Sequence, residues 1–330
     1  MAAPSLRRAS SGSFRRLAPR RRWRRYPWYT FYLFLAPWLI VGFLTFTLAP
    51  MIINFVVSFT DWDGFPGTHV HWWILDNYKN AWNDPQWTNG VIQSLKFTLV
   101  TVVAGVAGSL GLAVFLNQPH RGVKFFRAIY YLPCVVSIVV AGAAFKMMFA
   151  TNGLVNDVRM QFGGDIIQWL SGDYAFDALI TMTVWQLGVG IVIFLAGLQG
   201  VSNEVLEAAW VDGSGKAQTF WRITVPLLSP VILFQVITGM IGSLQAYVQA
   251  VALSPGSLLG GGTGQGVGIN IPYSNQLYMV YAFHQFNTAD AFGYGAAMLE
   301  IAFVFMLVLT IFIFRLSGRF VYYESAQGGA

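Results

Sequence analysis

Six stretches of the chain stay apolar for long enough to cross a bilayer, since a transmembrane helix needs about 20 mostly apolar residues to traverse roughly 30 Å of hydrocarbon. They fall at residues 31–59, 91–116, 125–149, 178–198, 227–253 and 294–314. Pro37 and Pro50 lie inside the first, which predicts a bend there or an interfacial turn ahead of the crossing. The segments between spans are more than short hairpins. Residues 61–90 carry Trp62, Trp72, Trp73, Tyr78, Trp82 and Trp87, and residues 151–177 read as a short amphipathic element closing at Trp169. Residues 254–290 open with SPGSLLGGGTGQGVG. No G-x-G-x-x-G register fits that stretch and no strand precedes it, so it reads as a flexible loop and not a phosphate cradle.

Composition and charge turn these spans into a topology. Of 330 residues, 55% are hydrophobic and only 10% charged, against about 25% charged in an ordinary soluble domain, which excludes a soluble globule. The single cysteine, Cys134, excludes a disulfide framework and any multi-cysteine metal site. Nine of the 20 Lys and Arg are arginines within the first 25 residues. The apolar run that follows exceeds the cleavable core of a signal peptide, so a retained first span is expected. Cytoplasmic segments are enriched in Lys and Arg. With the N-terminus inside, the inner segments hold 16 basic residues and the outer loops only Lys79 and Arg159. Lys96 and Lys146 sit near outer span ends, where long side chains snorkel. Asp61, Asp63, Asp76, Asp84, Asp157, Asp165, Asp173 and Asp177 all fall outside. The basic charge is confined to these segments, which points to membrane topology and anionic lipid and away from nucleic acid. The pattern predicts an all-α polytopic membrane protein with both termini cytoplasmic. Its basic tail, residues 1–29, is expected to be disordered, and a short tail follows at residues 325–330.

Chemistry-bearing motifs are scarce. No G-x-x-x-x-G-K-[ST] loop exists, and Gly215-Lys216-Ala217 lacks both the upstream glycine and the hydroxyl. His69, His71, His120 and His284 form no H-E-x-x-H helix, and no G-x-S-x-G elbow is present. The chain is expected to be no enzyme and to bind no metal or cofactor of its own; passage, coupling or scaffolding remains.

The segment between the fourth and fifth spans, residues 201–230, reads as helix, break, helix. Ser202 or Asn203 is placed to cap the first helix, with Glu204 and Glu207 near its positive end. Gly213 and Gly215 interrupt it, and Phe220, Ile223 and Val225 form a second apolar stripe that Pro226 is expected to end. The order Glu207-Ala208-Ala209, Asp212-Gly213, Phe220, Ile223, Pro226, Pro230 closely resembles the EAA motif of binding-protein-dependent ABC importer permeases, with Ser214 for the usual Ala and Val225 for the usual Leu. Further likeness is carried by Ser58-Phe59-Thr60-Asp61-Trp62, Leu75-Asp76-Asn77-Tyr78, Phe194-Leu195-Ala196-Gly197-Leu198-Gln199, Phe292-Gly293-Tyr294-Gly295-Ala296-Ala297 and Phe320-Val321-Tyr322-Tyr323-Glu324. These resemble the maltose and glycerol-3-phosphate permease branch, first-permease type, over about residues 30–324.

That resemblance implies a type I ABC importer permease of six helices in a bacterial cytoplasmic membrane. It implies a second permease across a shared sugar path, two ATPase subunits that bind the ATP and Mg, and an extracytoplasmic solute-binding protein. By position, Glu207, Ala208, Ala209, Asp212 and Gly213 become the coupling residues toward the ATPase. For the sugar path, polar and aromatic side chains inside spans are the candidates: Trp185 and Gln186 on span four, and Ser243, Gln245, Tyr247 and Gln249 on span five. Four residues apart on a helix, Gln245 and Gln249 would share one face, and Ser243 with Tyr247 another. Ser and Gln also join helices to each other in lipid. Glu300, several residues into span six, is expected to face a cavity, a partner helix or a counter-charge, for which Lys96 and Lys146 are the candidates, and to serve a structural pair ahead of a substrate contact. The competing class is an ion-driven secondary carrier, which would use a chain of intramembrane acids.

Overall fold

The computed structural model describes residues 27, 29–73, 75–118, 121–254, 271–287 and 291–318. The arginine tail, the glycine-rich loop and the segment from Phe320 to Glu324 lie outside the described residues. The chain divides into two compact units, Met1–Met51 and Ile52–Ala330. Among the described residues every regular element is helical, and the strand-like pairing is an isolated bridge between Thr60 and Trp72.

The first unit contains most of α1, Tyr29–Val57, a helix of 29 residues. From Trp38 to Leu48 it winds as a π-helix, closed by Ala49 donating to the Leu44 carbonyl five residues back. Pro50 follows and has no N–H to donate. The widened turns accommodate the proline, so the expected interfacial turn is replaced by a helix that is already formed at Tyr29.

In the second unit, α2 (Asp76–Asn83) leads into α3 (Pro85–Leu116), whose 32 residues are the longest helix. Next come α4 (Val123–Val135), α5 (Ile138–Met148), α6 (Leu154–Gln161), α7 (Tyr174–Trp185) and α8 (Gly188–Gly200). The chain then forms α9 (Asn203–Val211), α10 (Lys216–Leu227), α11 (Ser229–Leu244), α12 (Val248–Leu253), α13 (Tyr278–Asn287) and α14 (Phe292–Ser317). The helices α1, α3 and α14 are each long and apolar enough to cross a membrane unbroken. Three helix pairs are long and apolar enough when taken together, and each is bent: α4 with α5 at 101°, α7 with α8 at 42°, and α10 with α11 at 65°. Counting each pair as one span gives the six apolar stretches.

Each break has a local cause. Pro133 removes a donor near the end of α4, Val136 is extended, and α5 restarts after Ser137. The Gln186 amide reaches the Pro133 and Val136 carbonyls at 3.5 and 3.4 Å, so the break between α7 and α8 braces the break between α4 and α5. Gly188 makes that contact possible, because a Cβ there would strike Cys134 Sγ and the Tyr130 carbonyl. Between α10 and α11 the stop falls at Leu228, two residues beyond the predicted Pro226. The reason is a second π stretch, Phe220–Thr224, closed by Val225 donating to the Phe220 carbonyl immediately before Pro226.

Long and central, α3 packs against α7, α8, α11 and α13. Phe97 of α3 is buried with Phe145, Leu179, Met182 and Leu253, and lower down Ala113 and Leu116 are buried with Ile191 and Phe194. Lipid is as apolar as these side chains, so close packing and not exclusion from water holds helices together there. Small residues mark the tight crossings: a Cβ on Gly142 of α5 would meet Ala252 of α12.

The loops are built around buried asparagines. Asn77 donates to the Ser58 and Thr60 carbonyls at 2.9 and 2.7 Å. Asn156, fully buried, donates to the Ala150, Thr151 and Ile167 carbonyls and accepts from Ile167 N–H and the Trp169 indole. The element expected to close at Trp169 does so through this side chain.

Candidate functional site

Two regions carry the sequence-predicted residues. In the first, α9 begins with Ser202 in the N-cap position, although its hydroxyl makes no cap bond, and Glu204 occupies the first turn. Ala209 packs inward, while Glu207, Ala208, Trp210, Val211 and Asp212 are exposed. The helix ends on two interlocking bonds: Gly213 N–H to the Trp210 carbonyl at 3.0 Å and Ser214 N–H to the Ala209 carbonyl at 2.9 Å. This is the Schellman arrangement, which requires a left-handed residue one past the cap. Gly213 supplies it with φ +81°. Ser214 then accepts from the Thr219 hydroxyl at 3.1 Å, tying the start of α10 back to the turn. The result is a short helix with an exposed acidic and small-residue face, presented between two bent crossings.

The second region is an open cavity of about 280 Å³ bordered by α3, the junction of α7 with α8, and α11. Hydroxyl and amide side chains line it: Thr101 and Ser109 from α3, Thr183 and Gln186 from the α7–α8 junction, and Gln235, Thr238 and Ser243 from α11. Thr101 and Ser243 share a hydrogen bond at 2.9 Å. Ser109 donates to the Leu187 carbonyl at 3.2 Å, which also accepts from Ile191 N–H at the start of α8. Gly190 provides the room, since a Cβ there would meet Ser109 Oγ and the Gln235 amide. Such a wall offers hydrogen bonds to a neutral polar solute without a fixed charge to trap it.

Of the sequence candidates, Gln186 and Ser243 line this cavity. The others are elsewhere. Trp185 rests against Phe145 with ring centroids 5.4 Å apart, and Tyr247 stacks on Phe283 at 4.5 Å. The amide of Gln245 points to Met306 Sδ at 3.8 Å, and Gln249 is half-buried on α12. The shared face drawn for Gln245 and Gln249 is corrected, because the helix breaks between Leu244 and Val248 and the two residues fall on either side of the break. Thr101, Ser109, Thr183, Gln235 and Thr238 were missed. Thr101, Thr183 and Thr238 also bond a carbonyl of their own helix, so each reads in sequence as an ordinary intramembrane hydroxyl. Gln235, an amide in an apolar run, carried the same signal as Gln245.

Glu300 meets another helix, and neither candidate lysine pairs with it. Its carboxylate accepts from the Asn54 amide at 2.8 Å. The ion pair found among the described residues is Lys79 with Asp76, and it involves neither Lys96 nor Lys146.

Asp84 anchors one end of the α3 bundle. It caps α3 by accepting from Gln86 N–H at 2.8 Å, and its other oxygen accepts from the Tyr281 and Tyr294 hydroxyls at 2.6 and 2.8 Å. Burial pushes this carboxyl up, but the two hydroxyls and the backbone N–H groups outweigh it and hold the group below the usual carboxylate range. One side chain thus joins α3, α13 and α14.

Residues 105–322 match the family described as binding-protein-dependent transport system inner membrane component. The chain is 34% identical to the probable ABC transporter permease protein YesP of Bacillus subtilis (strain 168), covering 90% of this chain and 93% of that one. It is 30% identical to the arabinooligosaccharides transport system permease protein AraP of the same organism, covering 88% of each. Its fold matches a chain in the crystal structure of a bacterial ABC transporter involved in the import of the acidic polysaccharide alginate, with TM-score 0.75 at 20% identity over 89% of this chain and 96% of that chain.

Proposed function

The chain belongs to the family of binding-protein-dependent transport system inner membrane components, and from this premise we propose that it is the permease subunit of an ATP-driven sugar importer. It pairs with a second permease to form the path, receives sugar from an extracytoplasmic solute-binding protein and seats α9 on one of two ATPase subunits. The subunit is non-catalytic in this reading: ATP and Mg are bound by the ATPases, and the chain's work is motion. It lies in the bacterial cytoplasmic membrane with both termini inside.

The observation that carries the reading is α9 itself, exposed along Glu207, Ala208 and Asp212 and ended by a left-handed Gly213. A short helix with a small-residue face fits a groove on a partner. The substrate class rests on two supports: AraP is named for arabinooligosaccharides, and the cavity is lined by hydroxyls and amides. Within it, Gln186 and Ser243 are the proposed contacts, and Trp185, Gln245, Tyr247 and Gln249 border the path nearer the partner permease.

Reconstitution tests this. The complex of this chain with its second permease and ATPases should move sugar into liposomes only with ATP and the loaded binding protein. Transport by the chain alone, driven by an ion gradient, would establish the secondary carrier instead. Against that alternative, the Glu300 carboxylate is bonded to the Asn54 amide, and Glu300 is the one acid within the six apolar stretches.

A further inference from the structure

Most side-chain protons around the polar cavity are already committed. A hydroxyl has one proton to give and an amide two. Thr101 gives its proton to the Phe97 carbonyl at 2.6 Å, Thr183 to the Leu179 carbonyl at 2.9 Å, Thr238 to the Phe234 carbonyl at 2.7 Å and Ser109 to the Leu187 carbonyl at 3.2 Å. Ser243 meets Thr101 at 2.9 Å, and with the Thr101 proton directed at Phe97 it is Ser243 that donates. The Gln186 amide donates to the Pro133 and Val136 carbonyls. Each of these groups keeps lone pairs for a solute but no proton. Gln235 differs. It lines the same cavity, half-buried, and its amide makes no hydrogen bond among the described residues. Gly190 keeps the place for it, since a Cβ there would stand 2.7 Å from Gln235 Nε2. Six residues into α11 and inside an apolar stretch, such an amide finds polar partners only through a cavity.

We propose that Gln235 orients the sugar in this cavity, with Nε2 donating to one hydroxyl of a vicinal pair and Oε1 accepting from the other. The inference rests on the function proposed above and names the contact that reads the substrate. The two amide atoms lie side by side, one a donor and the other an acceptor, which matches adjacent ring hydroxyls. The hydroxyls and Gln186 can only accept, so a sugar proton finds a partner at many points along the wall. The ring is placed where the wall donates, and among the lining side chains that is Gln235. No charged side chain lines the cavity, so an acidic sugar would meet a neutral donor and no counter-charge, and the site suits a neutral sugar. The same amide could join α11 to a helix of the second permease instead, which the test separates.

The test uses the full transporter complex in proteoliposomes, with arabinotriose, lactose and maltotriose as probes and the binding protein at saturation. Gln235→Leu keeps the volume and removes the amide. It should slow import of whichever sugar the wild type carries by about tenfold, the scale of one or two hydrogen bonds, with the ATPase retained in a pull-down. Gln235→Asn, whose amide sits one methylene shorter, should recover part of the rate. Wild-type import by Gln235→Leu would overturn the proposal. The second measurement does not depend on rate. In a Cys134→Ser background, Gln235→Cys should react with a water-soluble methanethiosulfonate, and more slowly beside loaded binding protein and ATP than beside empty binding protein and ATP. A Gln235→Cys variant that stays unlabelled faces lipid or the second permease and rejects the proposal, as does one labelled equally fast in both conditions. If Gln235→Leu does not assemble, this labelling decides. Import of none of the sugars by the wild type is a failure of the proposed function; the Gln235 assignment is then judged on labelling without sugar, and closure to water rejects it.

Discussion

Around Gly213 the space is open, with nothing within 4 Å of where a Cβ would stand, so handedness and not volume restricts the position. L-residues other than Gly and Asn resist a left-handed φ by about 1–2 kcal/mol. Gly213→Asn should therefore keep ATP-driven uptake near the wild-type rate, while Gly213→Val, further stiffened by its branched Cβ, should uncouple uptake with assembly intact. Rates in proteoliposomes beside a pull-down of the ATPase would separate the two. Asn156 is the opposite case, restricted by what it bonds. Asn156→Ala removes the partners of Trp169 and Ile167 together, and a loss of about 3 kcal/mol or more is expected, read as a lowered unfolding midpoint. Asp84 adds a pH dependence. Its folded pKa lies below the unfolded value of about 3.9. Its contribution is thus complete above about pH 4 and is lost as pH falls through the folded value. Asp84→Asn should flatten that acid limb in a pH series of thermal melts.

At the scale of elements, both π-helical stretches end on a bond donated by the residue just before a proline, Ala49 before Pro50 and Val225 before Pro226. The prolines were plain in the sequence, but their effect was not: an i→i+4 rule predicts a stop, and a wider turn lets the helix continue. The six apolar stretches were legible because lipid demands length and apolarity and little else. The breaks were not, since an apolar window has the same composition straight or bent by 101°. The turn that ends α9 was legible to the residue because its glycine is a local backbone requirement. The cavity was not, because it needs α3, α7, α8 and α11 together and no local pattern records their meeting. Gln186 shows the difference: picked out as a sugar contact, it also braces two breaks. Gln186→Ala should cost about 1 kcal/mol. Gln186→Glu should cost more, because a carboxylate facing two carbonyls is repelled. Melting midpoints of the two variants, compared at neutral pH, check the order.

For the molecule as a whole, the proposed topology rests on the distribution of basic residues. Shortening the first 25 residues to two or three arginines should leave uptake and orientation unchanged, since seven basic residues remain in the other inner segments; cysteine-labelling from each side would report any inversion. The bent crossings have a mechanical consequence. The exposed helix α9 hangs between two of them, α7 with α8 and α10 with α11, whereas α3 runs unbroken for 32 residues. A push on α9 therefore meets jointed levers on either side and a stiff mast beside them. In the reading proposed above, thrust delivered at α9 would turn the arms on either side about elbows at Gln186-Leu187 and Leu228, and Gln186 lines the polar cavity. On that proposal, work done by a partner some distance away would be geared into a change of shape around the solute.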